Sequence, residues 1–328
     1  MAEKKIGTLI YRRNLSPILA IFRLVPDAGT VFPPYEAGQY IALRRENCRL
    51  TKKLVGPDGR FVYAPDLDES GQQKRGPVSH SYSIASAPYE TLLQRYLEFY
   101  VILHVDDRGQ PGRLTESLFQ MEAEADNTIT FFYKITGDFT LEKRAAGYNN
   151  VVMVGTGSGL APFASMMKQL HNEAAQGRAS EVRYTLFHGN RGYQELGYHE
   201  ELTAIEASRR LDFVYVPTVS RPSKPDHENA SVGKGRANNL LRHVFDMQLK
   251  EEDDLKQLSA QGLDTARTKA LLERTVHPVL PQHVAREQLR QRMNPQSTVI
   301  LTCGNPQLMA DIERIAGSQG IHFEMEEW

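Results

Sequence analysis

Hydrophobic and polar positions change rhythm part-way along the chain. In the first half, short runs alternate: IGTLIYRR from Ile6, PILAIFRLV from Pro17, QYIALR from Gln39, HSYSIAS from His80, LEFYVILHV from Leu97 and TITFFYKI from Thr128. They are rich in Val, Ile, Tyr and Phe and are punctuated by Gly, Pro and Asp, the pattern of antiparallel strands in a small barrel or sandwich. One short helix, TESLFQM from Thr115, interrupts them. From about residue 148 the pattern becomes continuous apolar runs followed by helical stretches. NNVVMVGTGSG leads into LAPFASMMKQLHNEAAQ, and VRYTLFHGNR, LDFVYVPTVSR and STVILTCGNP follow. Strands that are apolar on both faces and alternate with helices predict a parallel sheet covered on both sides. The change of rhythm places a boundary in EKRAAGYNN, with one domain over 1–143 and a second over 148–328.

Two stretches read as insertions. Residues 45–78 are polar and turn-rich (GPDGR, DESGQQKRGP), and residues 244–294 are charged, helical in pattern and broken near Pro278 and Pro281. A charged helical insert is most simply a solvated cover over a sheet edge.

Composition narrows the class. A length of 328 residues suits two domains, and 41% hydrophobic with 24% charged residues suits two globular cores. Lys plus Arg is 39 and Asp plus Glu is 40, a net charge of −1. That balance argues against a nucleic-acid coat or an anionic-membrane binder. Two cysteines, Cys48 and Cys303, exclude a disulfide scaffold, a four-cysteine zinc site and a cysteine-ligated iron–sulfur cluster within one chain. The first residues, MAEKKIGTLIYRRN, lack the apolar core of a signal peptide, and no apolar run approaches the roughly 20 residues that span a bilayer. The expectation is a soluble, cytoplasmic protein with no membrane insertion and no metal.

The first chemical signal is a glycine loop. Gly155, Thr156, Gly157 and Gly159 follow a buried strand and precede a helix whose first turn holds Pro162. Glycines there let backbone approach a pyrophosphate, and the helix start offers unpaired N–H groups. The spacing is G-x-G-x-G rather than the dinucleotide fingerprint G-x-G-x-x-G, so a turn needed only for strand–helix packing remains an alternative. Arg191 (HGNRG), Arg221 (TVSRP) and Arg236 (GKGRA) stand just past later strand ends. In such sheets ligands collect at the carboxyl ends, and cations there favour a ribose 2′-phosphate over a 2′-hydroxyl. Any one of them alone is as well explained by a solvated loop.

Taken in order, AGQY, HSYSIASAP, LEFYVILHVDDRGQPGRLTESL, GDFTL, GTGSGLAPF, HGNRGYQELGY, TVSRP, GKGRANNLL and CGNPQLM resemble the ferredoxin–NADP reductase superfamily. The likeness is strongest to its bacterial ferredoxin or flavodoxin–NADP reductases and leaves only the two insertions unmatched. It implies an N-terminal antiparallel β-barrel for FAD and a C-terminal Rossmann-like parallel sheet for NADP(H), a β plus α/β architecture. By that resemblance Tyr82 stacks on the flavin ring and Ser83 hydrogen-bonds its reactive edge. His80 and Ser81 belong to the same motif, and Gly112, Arg113, Leu114 and Thr115 hold the flavin pyrophosphate. Cys303 and Gly304 lie beside the docked nicotinamide. Trp328, the last residue and the only tryptophan, covers the ring as a movable lid, and Glu326 or Glu327 supplies an acid near the flavin edge.

One position departs from the motif. The family has an arginine where this chain has His80, and a neutral imidazole lacks the fixed fork and permanent charge of guanidinium. Flavin retention is therefore expected to fall between pH 6 and 8, with Arg113 compensating in part. The implied activity is electron transfer between NADPH and a separate one-electron carrier, ferredoxin or flavodoxin, by hydride transfer to FAD. The alternatives are a reductase component of an oxygenase, a flavin or ferric-chelate reductase, or a flavin-bearing docking subunit. Lys52, Lys53, Lys74 and Arg75 make the first insertion a candidate basic flap for an acidic carrier.

Overall fold

The computed structural model describes residues 3–56, 59, 61–106, 109–122, 125–178 and 180–326. The chain forms two compact units. The first comprises Met1–Tyr35, Tyr40–Ile84 and Glu90–Thr136; the second comprises Glu36–Gln39, Ala85–Tyr89 and Gly137–Trp328. GDFTL, expected to close the barrel, is thus counted with the second unit.

The first unit contains β1 (Lys4–Ser16), β2 (Leu19–Pro26), β3 (Tyr40–Arg49), β4 (Thr51–Val55), β5 (Phe61–Pro65), β6 (Arg75–Ser83), β7 (Leu97–Ile102) and β8 (Thr128–Thr136). Two short helices join them, α1 (Pro88–Gln94), which begins in a segment of the second unit, and α2 (Arg113–Phe119). Six strands form one antiparallel sheet in the order β6-β3-β8-β1-β2-β7. Alternation selects the inner face: Ala20, Phe22 and Leu24 of β2 share a core with Ile41, Leu43, Leu97, Phe99, Val101, Ile129 and Phe131. The edge strands β6 and β7 do not pair, yet the Tyr82 ring meets Phe99 edge-on at 6.4 Å. The result is a barrel left open along one seam.

The first insertion is more ordered than its composition suggests. Arg45–Arg49 continue β3 and, past a bulge, pair with Arg75 and Gly76 of β6. β4 and β5 then form a separate two-stranded hairpin. Its Val55, Phe61 and Tyr63 are exposed, so no buried face imprints a pattern on the sequence. Arg45 is buried; it bonds Ser117 Oγ of α2 (3.1 Å) and the Thr128 carbonyl, and pairs with Asp126. Arg49 grips Glu116 of α2 with two bonds, at 2.6 and 2.5 Å. A stretch read as polar loop therefore fastens α2 to the sheet.

The second unit holds β9 (Asn150–Thr156), β10 (Arg183–Asn190), β11 (Phe213–Val219), β12 (Gly233–Lys234), β13 (Thr298–Cys303) and β14 (His322–Met325). Its helices are α3 (Leu141–Arg144), α4 (Ala161–Ala175), α5 (His199–Ser208), α6 (Lys224–Glu228), α7 (Ala237–Val244), α8 (Lys250–Ala260), α9 (Ala266–Glu273), α10 (Arg286–Gln291) and α11 (Pro306–Gln319). The strands lie parallel in the order β12-β11-β10-β9-β13-β14. The chain enters at β9, steps outward to β12, and returns on the other side at β13. The order therefore reverses between β9 and β13, and at such a point loops leave adjacent strands in opposite directions and open a crevice.

The second insertion is helical, as its pattern predicts, and it covers the sheet edge. Lys234 and Val279 exchange backbone bonds at 2.8 and 2.9 Å, and Gln282 N–H bonds the Ala230 carbonyl at 2.8 Å. Below β12, the free edge of β11 is closed by side chains. Glu206 accepts from Tyr215 N–H at 2.8 Å, and His283 donates to the Tyr215 carbonyl at 3.0 Å. No helix among the described residues is long and apolar enough to cross a membrane, and no cluster among them is set up to hold a metal ion.

α7 and α11 are locked by Arg242, 1% exposed, which makes two bonds to fully buried Asp311 at 2.9 and 2.6 Å. Asp253 of α8 and the Gln248 carbonyl take its other nitrogen. Breaking a buried pair leaves an uncompensated charge, so Arg242→Ala is expected to cost about 3–5 kcal/mol of stability. Urea unfolding measures this; a loss below about 1 kcal/mol would show that Asp311 is relieved in another way.

Candidate functional site

The crevice between β9 and β13 is built from backbone. β9 is buried throughout Asn150–Gly155, and the chain turns at Gly157 (φ +54°) through a single 3-10 turn, Gly157–Leu160, into α4. Pro162 lies in the first turn of α4, where a missing N–H costs nothing. No side chain caps the 3-10 turn or α4. A β-carbon on Gly159 would sit 2.3 Å from the Cys303 carbonyl oxygen. One on Gly304 (φ +134°) would sit 2.4 Å from Thr156 Oγ1 and 2.7 Å from the Thr156 carbonyl oxygen. The two strand ends thus touch main chain to main chain. α11, by contrast, is capped by Asn305, which accepts from the N–H groups of Gln307 (3.0 Å) and Leu308 (3.2 Å).

Cys303 is fully buried, and its Sγ lies 3.0 Å from Glu326 Oε2. Burial, then the neighbouring carboxylate, push the thiol pKa well above its ordinary value, so the sulfur stays protonated and donates to Glu326. Glu326 is itself buried and ties its N–H to the Thr302 carbonyl at 3.0 Å. The structure therefore brings together Gly155, Thr156, Gly157, Gly159, Pro162, Cys303, Gly304 and Glu326. Trp328, the expected lid, and Glu327 lie outside the described residues.

The three arginines are not equivalent. Arg191 and Arg221 extend the parallel pair β10–β11, with Arg221 N–H bonded to the Arg191 carbonyl at 2.8 Å. Both side chains are exposed, and neither makes an ion pair among the described residues. Arg236 caps α7 just past β12 and is tied to Glu251 of α8, Nη1 to Oε1 at 3.0 Å. The nearby Lys234 is buried, and its ammonium is spent on the carbonyls of Asn229 (2.8 Å) and Val232.

In the first unit, β6 presents His80 and Ser81 outward, Tyr82 half-buried and Ser83 buried. Burial raises the Tyr82 hydroxyl pKa, so the phenol stays neutral. Partial burial, and then the charge of Arg113, push the His80 pKa below its ordinary 6.5. β6 and the start of α2 thus place two nitrogenous side chains within electrostatic reach of each other. Gly112 begins α2 with no side-chain cap, and a β-carbon there would meet Thr115 Oγ1 at 2.9 Å. Thr115 Oγ1 donates to the Gly112 carbonyl at 3.1 Å, whereas Leu114 points into the core.

Comparison with known proteins fits this arrangement. Residues 153–255 match the family model of the oxidoreductase NAD-binding domain. The whole chain superposes on a ferredoxin NADP+ reductase from Neisseria gonorrhoeae solved with FAD and NADP, with a TM-score of 0.58, 20% identity and 99% of each chain covered. This is the ferredoxin–NADP+ reductase fold. It is shared with the flavohem-like FAD/NAD-binding domain of nitric oxide dioxygenase from Vibrio cholerae O1 biovar El Tor (TM-score 0.58, 15% identity, 98% of each chain). A cytochrome P450 reductase from Amycolatopsis has it too (0.56, 16%, 99% of this chain and 70% of that one). No curated protein sequence matches significantly.

Within this reductase fold, sequence reasoning missed Arg45, Arg49 and Glu251. The first two were hidden in a stretch whose turn residues outvoted its strands. Glu251 stands in the acidic run Glu251–Asp254, where nothing in the sequence marks the one buried carboxylate.

The backbone contact yields a direct test. Gly304→Ala places a methyl group into Thr156 and strains a positive φ, costing about 1–3 kcal/mol by overpacking. Urea unfolding together with calorimetry of ADP binding is expected to show both lower stability and weaker nucleotide binding. Unchanged binding in a destabilised variant would separate the glycine contact from the ligand site.

Proposed function

We propose that this chain is an NADPH-dependent flavoenzyme that passes electrons to a separate one-electron carrier protein, a ferredoxin or flavodoxin. The observation that carries the reading is the exposed couple Arg191 and Arg221, without an ion pair among the described residues, beside an uncapped glycine turn at the sheet switch point. Uncompensated guanidinium groups on neighbouring strand ends suit a phosphate monoester such as the 2′-phosphate of NADPH. The N–H groups of the turn suit its pyrophosphate.

The donor set of the first unit fits a flavin dinucleotide. Arg113, His80 and the uncapped start of α2 offer positive charge and N–H groups to a pyrophosphate. Tyr82 offers a neutral aromatic face and Ser83 a hydroxyl. Bound FAD would supply the conversion between a two-electron hydride donor and one-electron carriers. The protein's part is to hold both nucleotides and to keep a thiolate away from the nicotinamide. Cys303 serves the latter: fully buried at the end of β13 and bonded to Glu326, its thiol stays neutral, so no thiolate faces a reduced, electron-rich ring.

The experiment is an anaerobic stopped-flow titration of the FAD-reconstituted protein with NADPH and, in parallel, NADH. Fast bleaching by NADPH and slow bleaching by NADH support the reading. Bleaching by neither, with flavin bound, favours a docking subunit. Reduced enzyme that passes electrons to free flavin or ferric chelate, but to neither carrier protein, favours the corresponding reductase.

Flavin binding should also depend on pH. The free protein's His80 pKa lies below 6.5, and a bound pyrophosphate raises it. Protonation is then linked to binding, so the affinity gain is complete below the free pKa and is lost as pH rises through the bound pKa. The FAD dissociation constant is therefore expected to rise with pH, starting below pH 6.5 rather than at neutrality. His80→Arg should flatten the profile. Equal slopes in the two proteins would assign the pH dependence to another group.

A further inference from the structure

The second insertion covers a sheet edge, and it also reaches a residue of the candidate phosphate site. We propose that Glu251, at the start of α8, is a positioning residue that fixes Arg236 for recognition of a ribose 2′-phosphate. This rests on the NADPH reading above and deepens it.

Glu251 is 1% exposed and its partners use both carboxylate oxygens. Oε1 takes Arg236 Nη1 at 3.0 Å, and Oε2 takes Asn239 Nδ2 at 2.9 Å. Asn239 is fully buried and held from its other end, because its Oδ1 accepts the Lys250 N–H at 3.0 Å. The carboxylate therefore cannot swing, and neither can the nitrogen it holds. Arg236 itself remains 42% exposed at the carboxyl end of the sheet.

Its backbone is fixed as well: the Gly235 carbonyl, one residue before Arg236, accepts from Thr218 Oγ1 at 2.8 Å, and Gly235 N–H bonds the Val219 carbonyl at 2.9 Å. The insertion closes on the same segment from the other side. Β-carbons on Gly233 and Gly235 would meet the Val279 carbonyl at 2.8 Å and Pro278 Cα at 3.2 Å. GKGR is thus the place where the insertion grips the sheet, and its last residue is the one left partly in solvent. An arginine anchored through one nitrogen keeps its remaining donors in a fixed fork, which costs less entropy on binding an anion than a freely rotating chain does.

The test uses calorimetry on the full-length protein with two probes, 2′,5′-ADP and 5′-ADP, which differ only in the 2′-phosphate. Wild type is expected to bind 2′,5′-ADP the more tightly. Glu251→Gln keeps the shape but leaves one acceptor for two donors, and should weaken 2′,5′-ADP about fivefold while sparing 5′-ADP. Glu251→Asp, which keeps the charge but draws it back by one methylene, should act in the same direction and stands in if the amide variant misfolds. In an Arg236→Ala background, Glu251→Gln should add nothing. Three results overturn the proposal alone: equal weakening of both probes, a loss that persists without Arg236, or tighter 2′,5′-ADP binding in Glu251→Gln. A wild type that binds both probes equally overturns the NADPH reading with it.

Discussion

The main-chain contact between the ends of β9 and β13 is the constraint around which the second unit is arranged. Adjacent parallel strands run about 4.8 Å apart, and here their loops must diverge at once into α4 and α11. α11 sends Ile312 and Ile315 into the same core as Leu240 and Leu241 of α7, whereas no α4 residue joins that core. The divergence is possible because Gly159 lies on the Cys303 carbonyl and Gly304 on the Thr156 carbonyl with no side chain between them. Without a β-carbon, a glycine also lets a ligand approach main-chain N–H groups closely. The packing contact is what the structure shows, and on the proposed reading the same residues also form the binding surface, so the two readings of the glycine loop are compatible.

Charge is used in three distinct ways on one near-neutral chain. Arg242 is wholly buried and neutralised by Asp311 and Asp253, and its role ends in holding helices together. Arg45 and Arg49 are clamps, joining β3 to α2 through Ser117 and Glu116, with Arg45 also pairing Asp126 just before β8. Arg191 and Arg221 have no such partners among the described residues. Ion pairing inside a protein uses up the attraction a ligand would otherwise feel, so the binding potential of an arginine is read from what it lacks. Arg236 falls between these classes, with one nitrogen engaged and the side chain partly in solvent.

Much of this is legible in the sequence alone. All six strands of the antiparallel sheet were marked by alternation, and β9, β10, β11 and β13 by their apolar runs, because in each case burial writes the pattern. β4 and β5 bury no face of their own, and β12 has two residues and β14 four, so periodicity had nothing to register. α1 escaped for the same reason: Leu92 and Leu93 are 81% and 74% exposed, and none of its residues is buried. At the site, glycines and arginines stood out as residue types. Glu251 and Arg45 did not, since their importance comes from which side chain the fold brings opposite them.

That difference bears on how insertions should be read. Both were set apart because their composition broke the rhythm of the surrounding chain, and both turn out to hold neighbouring elements in place, whether the rhythm predicted them (α2) or not (β12). Arg45–Arg49 fix the helix that follows Gly112, and the segment from α8 to Val279 fixes the short strand β12 and Arg236 just beyond it. A loop can be lengthened at little entropic cost, because closure entropy grows only with the logarithm of its length. Once lengthened it can return to the scaffold and form new contacts. The positions it reaches most easily are strand ends, where backbone groups are still unpaired and where α/β sheets bind their ligands. In this chain the additions lie beside candidate anion-binding residues for that physical reason.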